Sequence, residues 1–296
     1  MAEGDKVNHR YVGGIFMALA ASIWGGSYVV SKIVLEDVPP LALLWLRYVV
    51  ALVVLLVAAI LTKQSWRIRR RDVPWVLAIG VTGYALSIWA QFLGTKLSSA
   101  QMGAMITSAT PAFMVVFGRL LLGERLTARR GVSVGLATIG VLCIIGIGGF
   151  DASYRLGGLV LGMAALTWAL MSVLVKRVPR DYSQLVVTTY AILTATVVIT
   201  VIAMRQLVTV SPVVFLHPVI WGGVLYLGIV STAVAFLLWN KGLQWVDAAS
   251  GGLYFFFQPL VGTALGWLVL GEQVGISFWL GTAMILCGVS LVIRKS

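Results

Sequence analysis

Residues 111–124, PAFMVVFGRLLLGE, and residues 259–272, PLVGTALGWLVLGE, decide how this chain is read. Both are P-x(10)-L-G-E segments set in long apolar runs, and they lie 148 positions apart. Sliding the sequence along itself by that interval aligns 94–124 with 242–272. The alignment pairs Gly94 with Gly242, Ala100 with Ala248, Gly103 with Gly251, Pro111 with Pro259, Gly118 with Gly266 and Glu124 with Glu272. A shift of 144 extends the match toward the start of each copy, where Gly13 and Gly14 meet Gly157 and Gly158, Trp24 meets Trp168, Lys32 meets Lys176 and Pro74 meets Pro218. The chain reads as a duplication, with one copy in 1–150 and the other in 151–296.

The composition says what is duplicated. Of 296 residues, 60% are hydrophobic and 11% charged, against about 25% charged in soluble domains, so a soluble globule is excluded. A membrane-spanning helix takes about 20 apolar residues, and ten of them leave no length for an extramembrane catalytic domain. Apolar runs at 11–31, 41–61, 74–95, 99–122, 131–149, 156–175, 183–204, 218–240, 248–270 and 276–293 predict an all-α polytopic membrane protein of ten transmembrane helices. The first run continues past Trp24, Gly25 and Gly26 without a cleavage-site pattern, so it is read as a helix and not a signal peptide.

The net charge of +12 is a topology signal. With both termini cytoplasmic, Lys6, Arg10, the Lys63–Arg71 cluster, Arg125, Arg129, Arg130, Lys176, Arg177, Arg180, Lys241, Arg294 and Lys295 fall inside, and Lys32, Lys96, Arg155 and Arg205 fall outside. The basic residues therefore anchor loops in the cytoplasm of a bacterial inner membrane, and nucleic acid is not the partner. Five spans per copy is an odd number, so the second copy enters the bilayer from the other side. Two inverted five-helix repeats around a central cavity are the design of secondary carriers.

Pro74 and Pro218 stand at first helical turns, and Gly123 and Gly271 at helix ends. Gly131 with Gly135, Gly158 with Gly162 and Gly262 with Gly266 have the GxxxG spacing of close helix contacts. Pro111 and Pro259 lie near mid-span and free the carbonyls of Thr107 and Phe255, which makes them hinge candidates at the same depth in both copies.

ALAASIWGGSYVVSK at 18–32, LRYVVA at 46–51 and the two P-x(10)-L-G-E segments resemble the duplicated EamA-type domain of the drug/metabolite transporter superfamily. The resemblance covers nearly the whole chain and is greatest to bacterial amino-acid exporters of that superfamily. It implies ten helices around a central cavity and export of neutral or aromatic amino acids.

The residues themselves narrow the chemistry. The acidic residues all fall in tails, loops or helix ends, so none is placed to hold a cation at mid-membrane. That argues against cationic-drug antiport and for neutral or zwitterionic substrates; multidrug or other metabolite efflux is the alternative. Gly131-Val132-Ser133-Val134-Gly135 matches G-x-S-x-G but opens an apolar helix, and His9 and His217 lie outside the spans, so the chain is not read as an enzyme. Phosphate-loop, cofactor and metal motifs are missing, and Cys143 and Cys287 are expected to be buried free thiols.

The expected substrate-binding residues are polar and aromatic positions within spans: Trp24, Ser27 and Tyr28 on the first, Tyr84, Ser87 and Gln91 on one face of the third, Thr110 beside Pro111, Trp168 on the sixth, and Tyr254 and Gln258 before Pro259. Arg47, about six residues inside the second span, needs a partner or water, and helix-end carbonyls and a substrate carboxylate are both open to it. Small molecule and lipid are the expected partners, and oligomeric state is not legible.

Overall fold

The computed structural model describes residues 3–123, 127–146, 152–179, 181–245, 254–255 and 257–293, with the side chains of 3–10, 145–146, 240, 243–245, 289 and 292–293 left undescribed. Glu124, Asp247 and the expected boundary between 150 and 151 lie outside the described residues, as do Arg125, Arg180, Arg294 and Lys295.

Among the described residues the chain is helical and without strands. This is what a chain of this hydropathy must do in lipid, where every backbone amide has to be satisfied within its own segment. The helices are α1 (Glu3–Asp37), α2 (Pro40–Leu61), α3 (Val73–Leu97), α4 (Ala100–Leu122), α5 (Ala128–Gly146), α6 (Ala152–Val175), α7 (Gln184–Val208), α8 (Pro218–Leu225, continuing through Tyr226–Val234 to Ala235–Trp245), α9 (Phe257–Leu270) and α10 (Ile276–Ile293). Among the described residues seven segments are long and apolar enough to cross a membrane, and Phe257–Leu270 and Ile276–Gly288 are shorter apolar helices. The chain is thus a polytopic membrane protein.

Local chemistry sets many of the boundaries. Pro74 and Pro218 occupy first turns, where no amide hydrogen is needed. Gly123 and Gly271 end α4 and α9 with φ of 69° and 64°, a left-handed conformation that a Cβ would strain. Helix α4 is interrupted at Ser108 and Ala109, just before Pro111, and the Thr107 carbonyl freed by that proline accepts instead from the Thr110 hydroxyl at 2.7 Å. Just before α9, Phe255 is a turn residue and its carbonyl accepts from the Gln258 amide at 3.1 Å.

Two features were not expected from the sequence. Gly80–Ser87 in α3 and Tyr226–Val234 in α8 are π-helical, a widening often found at functional sites. Near the start of α4, Lys32 Nζ donates to the carbonyls of Thr95, Lys96 and Ser98 at 2.7–3.0 Å, while Glu272 accepts from the amides of Ala100 and Gln101 at 2.7 and 2.9 Å. A cation thus closes the C-terminal end of α3 and a carboxylate the N-terminal end of α4, each matching the helix dipole.

The most extensive helix packing is reciprocal. Helix α1 packs on α8 and α9, α6 packs on α3 and α4, α2 packs on α8, α3 packs on α7, and α2–α7, α4–α9 and α5–α10 also meet. Exchanging α1–α5 with α6–α10 maps this set onto itself. The exchange extends to atoms at glycine crossings. A Cβ on Gly94 would lie 2.8 Å from the Gly157 carbonyl oxygen, and one on Gly242 would lie 2.8 Å from that of Gly13. A Cβ on Gly80 would lie 2.6 Å from the Ala191 oxygen, and one on Gly228 would lie 2.9 Å from that of Arg47. Gly140 meets the Gly281 oxygen and Gly288 that of Ser133, at 2.7 and 2.8 Å by the same measure.

Other expectations are corrected. Gly131, Gly135 and Gly162 have nothing within 4 Å of a Cβ position, so their spacing marks no tight crossing; Gly262 and Gly266 do face α4, at Ala104 and Gln101. Cys143 is half-buried and Cys287 exposed, because their helix faces turn outward from the core.

Candidate functional site

Seven of the ten expected binding residues meet at one cavity: Trp24, Ser27, Tyr28, Gln91, Thr110, Trp168 and Gln258. Arg47, Ile88, Thr107, Phe236 and Phe255 complete its lining, so α1, α2, α3, α4, α6, α8 and α9 all contribute, together with Phe255 just before α9. At about 40 Å³ it has room for about three waters. A larger cavity of about 850 Å³ is lined by residues of α4, α9 and α10, including Trp267 and Trp279. Its carboxylate, Glu272, is already committed to the amides of α4, and its exposed Trp267, Trp279 and Leu260 suit lipid better than a polar solute.

The remaining three expected residues lie outside the small cavity. Ser87 is fully buried and donates to the Ala164 carbonyl at 2.8 Å, joining α3 to α6. Tyr84 stands behind the wall, its ring 6.0 Å from Trp168 and 5.7 Å from Phe236, and its carbonyl accepts from the Tyr48 hydroxyl at 2.7 Å. Tyr254 is half-buried, with its hydroxyl directly over Gly14. Helical spacing put Tyr84, Ser87 and Gln91 on one face; Tyr84 and Ser87 lie within the π-helical stretch and Gln91 beyond it, and of the three only Gln91 reaches the cavity.

One wall is aromatic. Phe236 stands between the paired tryptophans, 5.4 Å from Trp24 and 6.2 Å from Trp168, and Trp24 also approaches Trp239 and Phe255. The rings are tilted 30–58° to one another and so avoid the face-to-face sandwich that aromatic quadrupoles disfavour. Trp24 Nε1 donates to the Ser231 carbonyl at 3.0 Å, so its ring is held from the π-helical part of α8.

A second wall is a polar chain whose direction can be assigned. The Thr107 hydroxyl donates to the Gly103 carbonyl at 2.7 Å, which leaves its oxygen to accept from the Tyr28 hydroxyl at 2.6 Å and from Gln258 Nε2 at 2.9 Å. With those protons committed, the Tyr28 oxygen and Gln258 Oε1 remain as acceptors.

Arg47 forms the third wall. It is 4% exposed, its Nε donates to Thr232 Oγ1 at 2.7 Å, and its guanidinium stands 5.6 Å from the centre of the Phe92 ring. The Thr232 hydroxyl in turn donates to the Leu227 carbonyl at 2.7 Å within the π-helical segment, so its oxygen can only accept. Ile88, Thr107, Phe236 and Phe255 line the cavity but were not among the expected binding residues. Thr107 had been singled out only for its freed carbonyl, and single aromatic residues in spans rich in them carry no distinguishing signal.

The family model described as the EamA-like transporter family matches this sequence twice, over residues 12–146 and 155–294. The permease-like protein YdzE of Bacillus subtilis is 69% identical over 71 residues, 24% of this chain and 91% of that one. The uncharacterized transporter YyaM of Bacillus subtilis is 26% identical over 92% of this chain and 91% of its own length. A protein of Escherichia coli named a probable amino-acid metabolite efflux pump is 26% identical over 93% of this chain and 92% of its own. A solved crystal structure superimposes with a TM-score of 0.63, covering 94% of this chain and 95% of that chain at 22% identity, and so shares the fold.

Proposed function

The chain belongs to the EamA-like transporter family, and from that premise we propose that it exports small neutral or zwitterionic metabolites, amino acids including aromatic ones, by alternating access. The scaffold in this reading is ten transmembrane helices arranged as two inverted five-helix repeats, 1–150 and 151–296, in a bacterial inner membrane with both termini cytoplasmic. The reciprocal glycine crossings support it, because an approximate two-fold relation is what makes a contact recur with its partners exchanged. The double match of the family model and the positive-inside distribution of Lys and Arg support it as well.

The single observation that carries the substrate reading is the small cavity itself. It joins aromatic walls to Arg47 on one side and to the acceptors of Tyr28 and Gln258 on the other, and among the described residues no carboxylate lines it. An organic cation would be left unpaired there, whereas an amino acid meets donors for its carboxylate, acceptors for its ammonium and ring surface for its side chain. The E. coli relative named as an amino-acid metabolite efflux pump points the same way. Because the cavity holds only about three waters, a tryptophan enters only when the rings part, and the interruptions beside Pro111 and Pro259 are the hinges that permit it.

The test is counterflow in proteoliposomes with labelled tryptophan, methionine and threonine. Saturable uptake accelerated by unlabelled amino acid on the opposite side is expected for tryptophan and methionine. Flux of none of the three would overturn the amino-acid reading.

A further inference from the structure

We propose that Arg47 is the carboxylate anchor of the small cavity, so that the site demands a free carboxylate of its ligand and does not demand an ammonium group. The proposal rests on the carrier reading for its place in transport, but its geometry stands on Arg47 itself.

A guanidinium has five N–H donors. At Arg47 one of them, on Nε, is committed to Thr232, and that bond is directional because the Thr232 proton is already given to Leu227. The Phe92 ring holds the guanidinium within cation–π range. One corner of the group is therefore fixed, and the two terminal nitrogens make no ion pair with any carboxylate among the described residues. A charge this deeply buried costs several kcal/mol unless it is paired, and Thr232, to which it is bonded, and Tyr28, Thr107 and Gln258, which line the same cavity, are neutral. Two terminal nitrogens of a planar guanidinium match the two oxygens of a carboxylate.

The asymmetry of the duplication adds a second argument. Where Gly228 packs on the Arg47 carbonyl, Gly80 packs on that of Ala191, so Ala191 is the counterpart of Arg47. The cavity has one guanidinium and not two, which fits a monocarboxylate bound in a single orientation. On the other side Tyr28 and Gln258 offer hydrogen-bond acceptors without charge. They improve the fit of an ammonium group but cannot replace the ion pair at Arg47.

The experiment compares tryptophan with indole-3-propionate, which lacks the ammonium, and with tryptophan amide and tryptamine, which lack the carboxylate. Each is scored by the shift in melting temperature of the purified protein in detergent and by inhibition of labelled tryptophan counterflow. Tryptophan and indole-3-propionate are expected to raise the melting temperature, with affinities at least about tenfold above those of the other two compounds. Arg47→Gln is expected to abolish that preference, and Arg47→Lys to restore part of it. Equal stabilisation by tryptamine or tryptophan amide, or none by either carboxylate, would overturn the proposal. Carboxylate-selective stabilisation without counterflow would keep the Arg47 assignment and sink the carrier reading, so the two failures are separable. Because the comparison among ligands uses the unaltered protein, it decides the question even if the Arg47 variants do not fold.

Discussion

Where α8 crosses α2, Gly228 rests on the carbonyl of Arg47, and where α3 crosses α7, Gly80 rests on the carbonyl of Ala191. The backbone contact is made twice, once in each direction. The side chains on those same two residues differ: Arg47 puts a guanidinium into the cavity wall, while Ala191 is fully buried in the hydrophobic core. The same contrast holds between the glycine crossings as a group and the cavity as a whole. Trp24 and Trp168 recur as a pair, but Thr107 and Thr110 stand opposite Phe255 and Gln258 in the alignment of the copies. Packing of backbone on backbone tolerates no extra atom, so duplication preserves it. A cavity constrains its lining less, and divergence there lets a polar ligand bind in one orientation.

The largest effect that would test this contrast comes at the crossings. Gly80→Val and Gly228→Val each push a side chain against a backbone carbonyl and are expected to destabilise the protein by about 3 kcal/mol, seen as a large fall in melting temperature or loss of monodisperse protein. Gly135→Ala, at a position with open space, is the control and is expected to be neutral or to gain up to about 1 kcal/mol of helix propensity. If one member of the Gly80 and Gly228 pair were tolerated and the other not, the reciprocity of the scaffold would fail.

Smaller changes belong to the cavity. Trp168→Ala and Gln258→Ala are expected to slow transport about fivefold to tenfold while leaving most of the protein folded, since each removes about one contact of about 1 kcal/mol from the ligand. Unchanged kinetics in both variants would remove these residues from the site.

The smallest effect is expected at a contact that joins the halves without being duplicated. Arg69 and Asp181 form an ion pair at 2.6 Å with both side chains 53% exposed. Asp181→Ala should cost no more than about 0.5 kcal/mol, a difference that disappears at high salt. A loss comparable to that at Gly80 would mean that loop charges, and not glycine crossings, hold the halves together.

How much of this was legible beforehand follows from the range of each interaction. The helices, the first-turn prolines at 74 and 218 and the left-handed ends at Gly123 and Gly271 all depend on neighbours within a turn, and they were read from local pattern. So was the convergence of Trp24 with Trp168, because both stand at matching positions of a repeat. Ser87 turns to the Ala164 carbonyl and not to the cavity, a bond to another helix that spacing along α3 does not reveal. GxxxG spacing could not distinguish Gly262, which meets Ala104, from Gly135, which meets nothing, since that depends on which helix lies opposite.

Sequence alone therefore established a duplicated, membrane-spanning helical chain with few charges, because hydropathy and repetition are written along the chain. Tertiary structure alone decided that Thr232 holds Arg47 by its Nε, that Thr107 gathers Tyr28 and Gln258, and that Phe236 bridges the two tryptophans. The Arg47–Thr232 bond joins residues 185 positions apart, Trp24 and Phe236 are farther apart still, and nothing along the chain encodes the relative rotation of two helices. That rotation is settled only when all the helices bury their close-packed faces together.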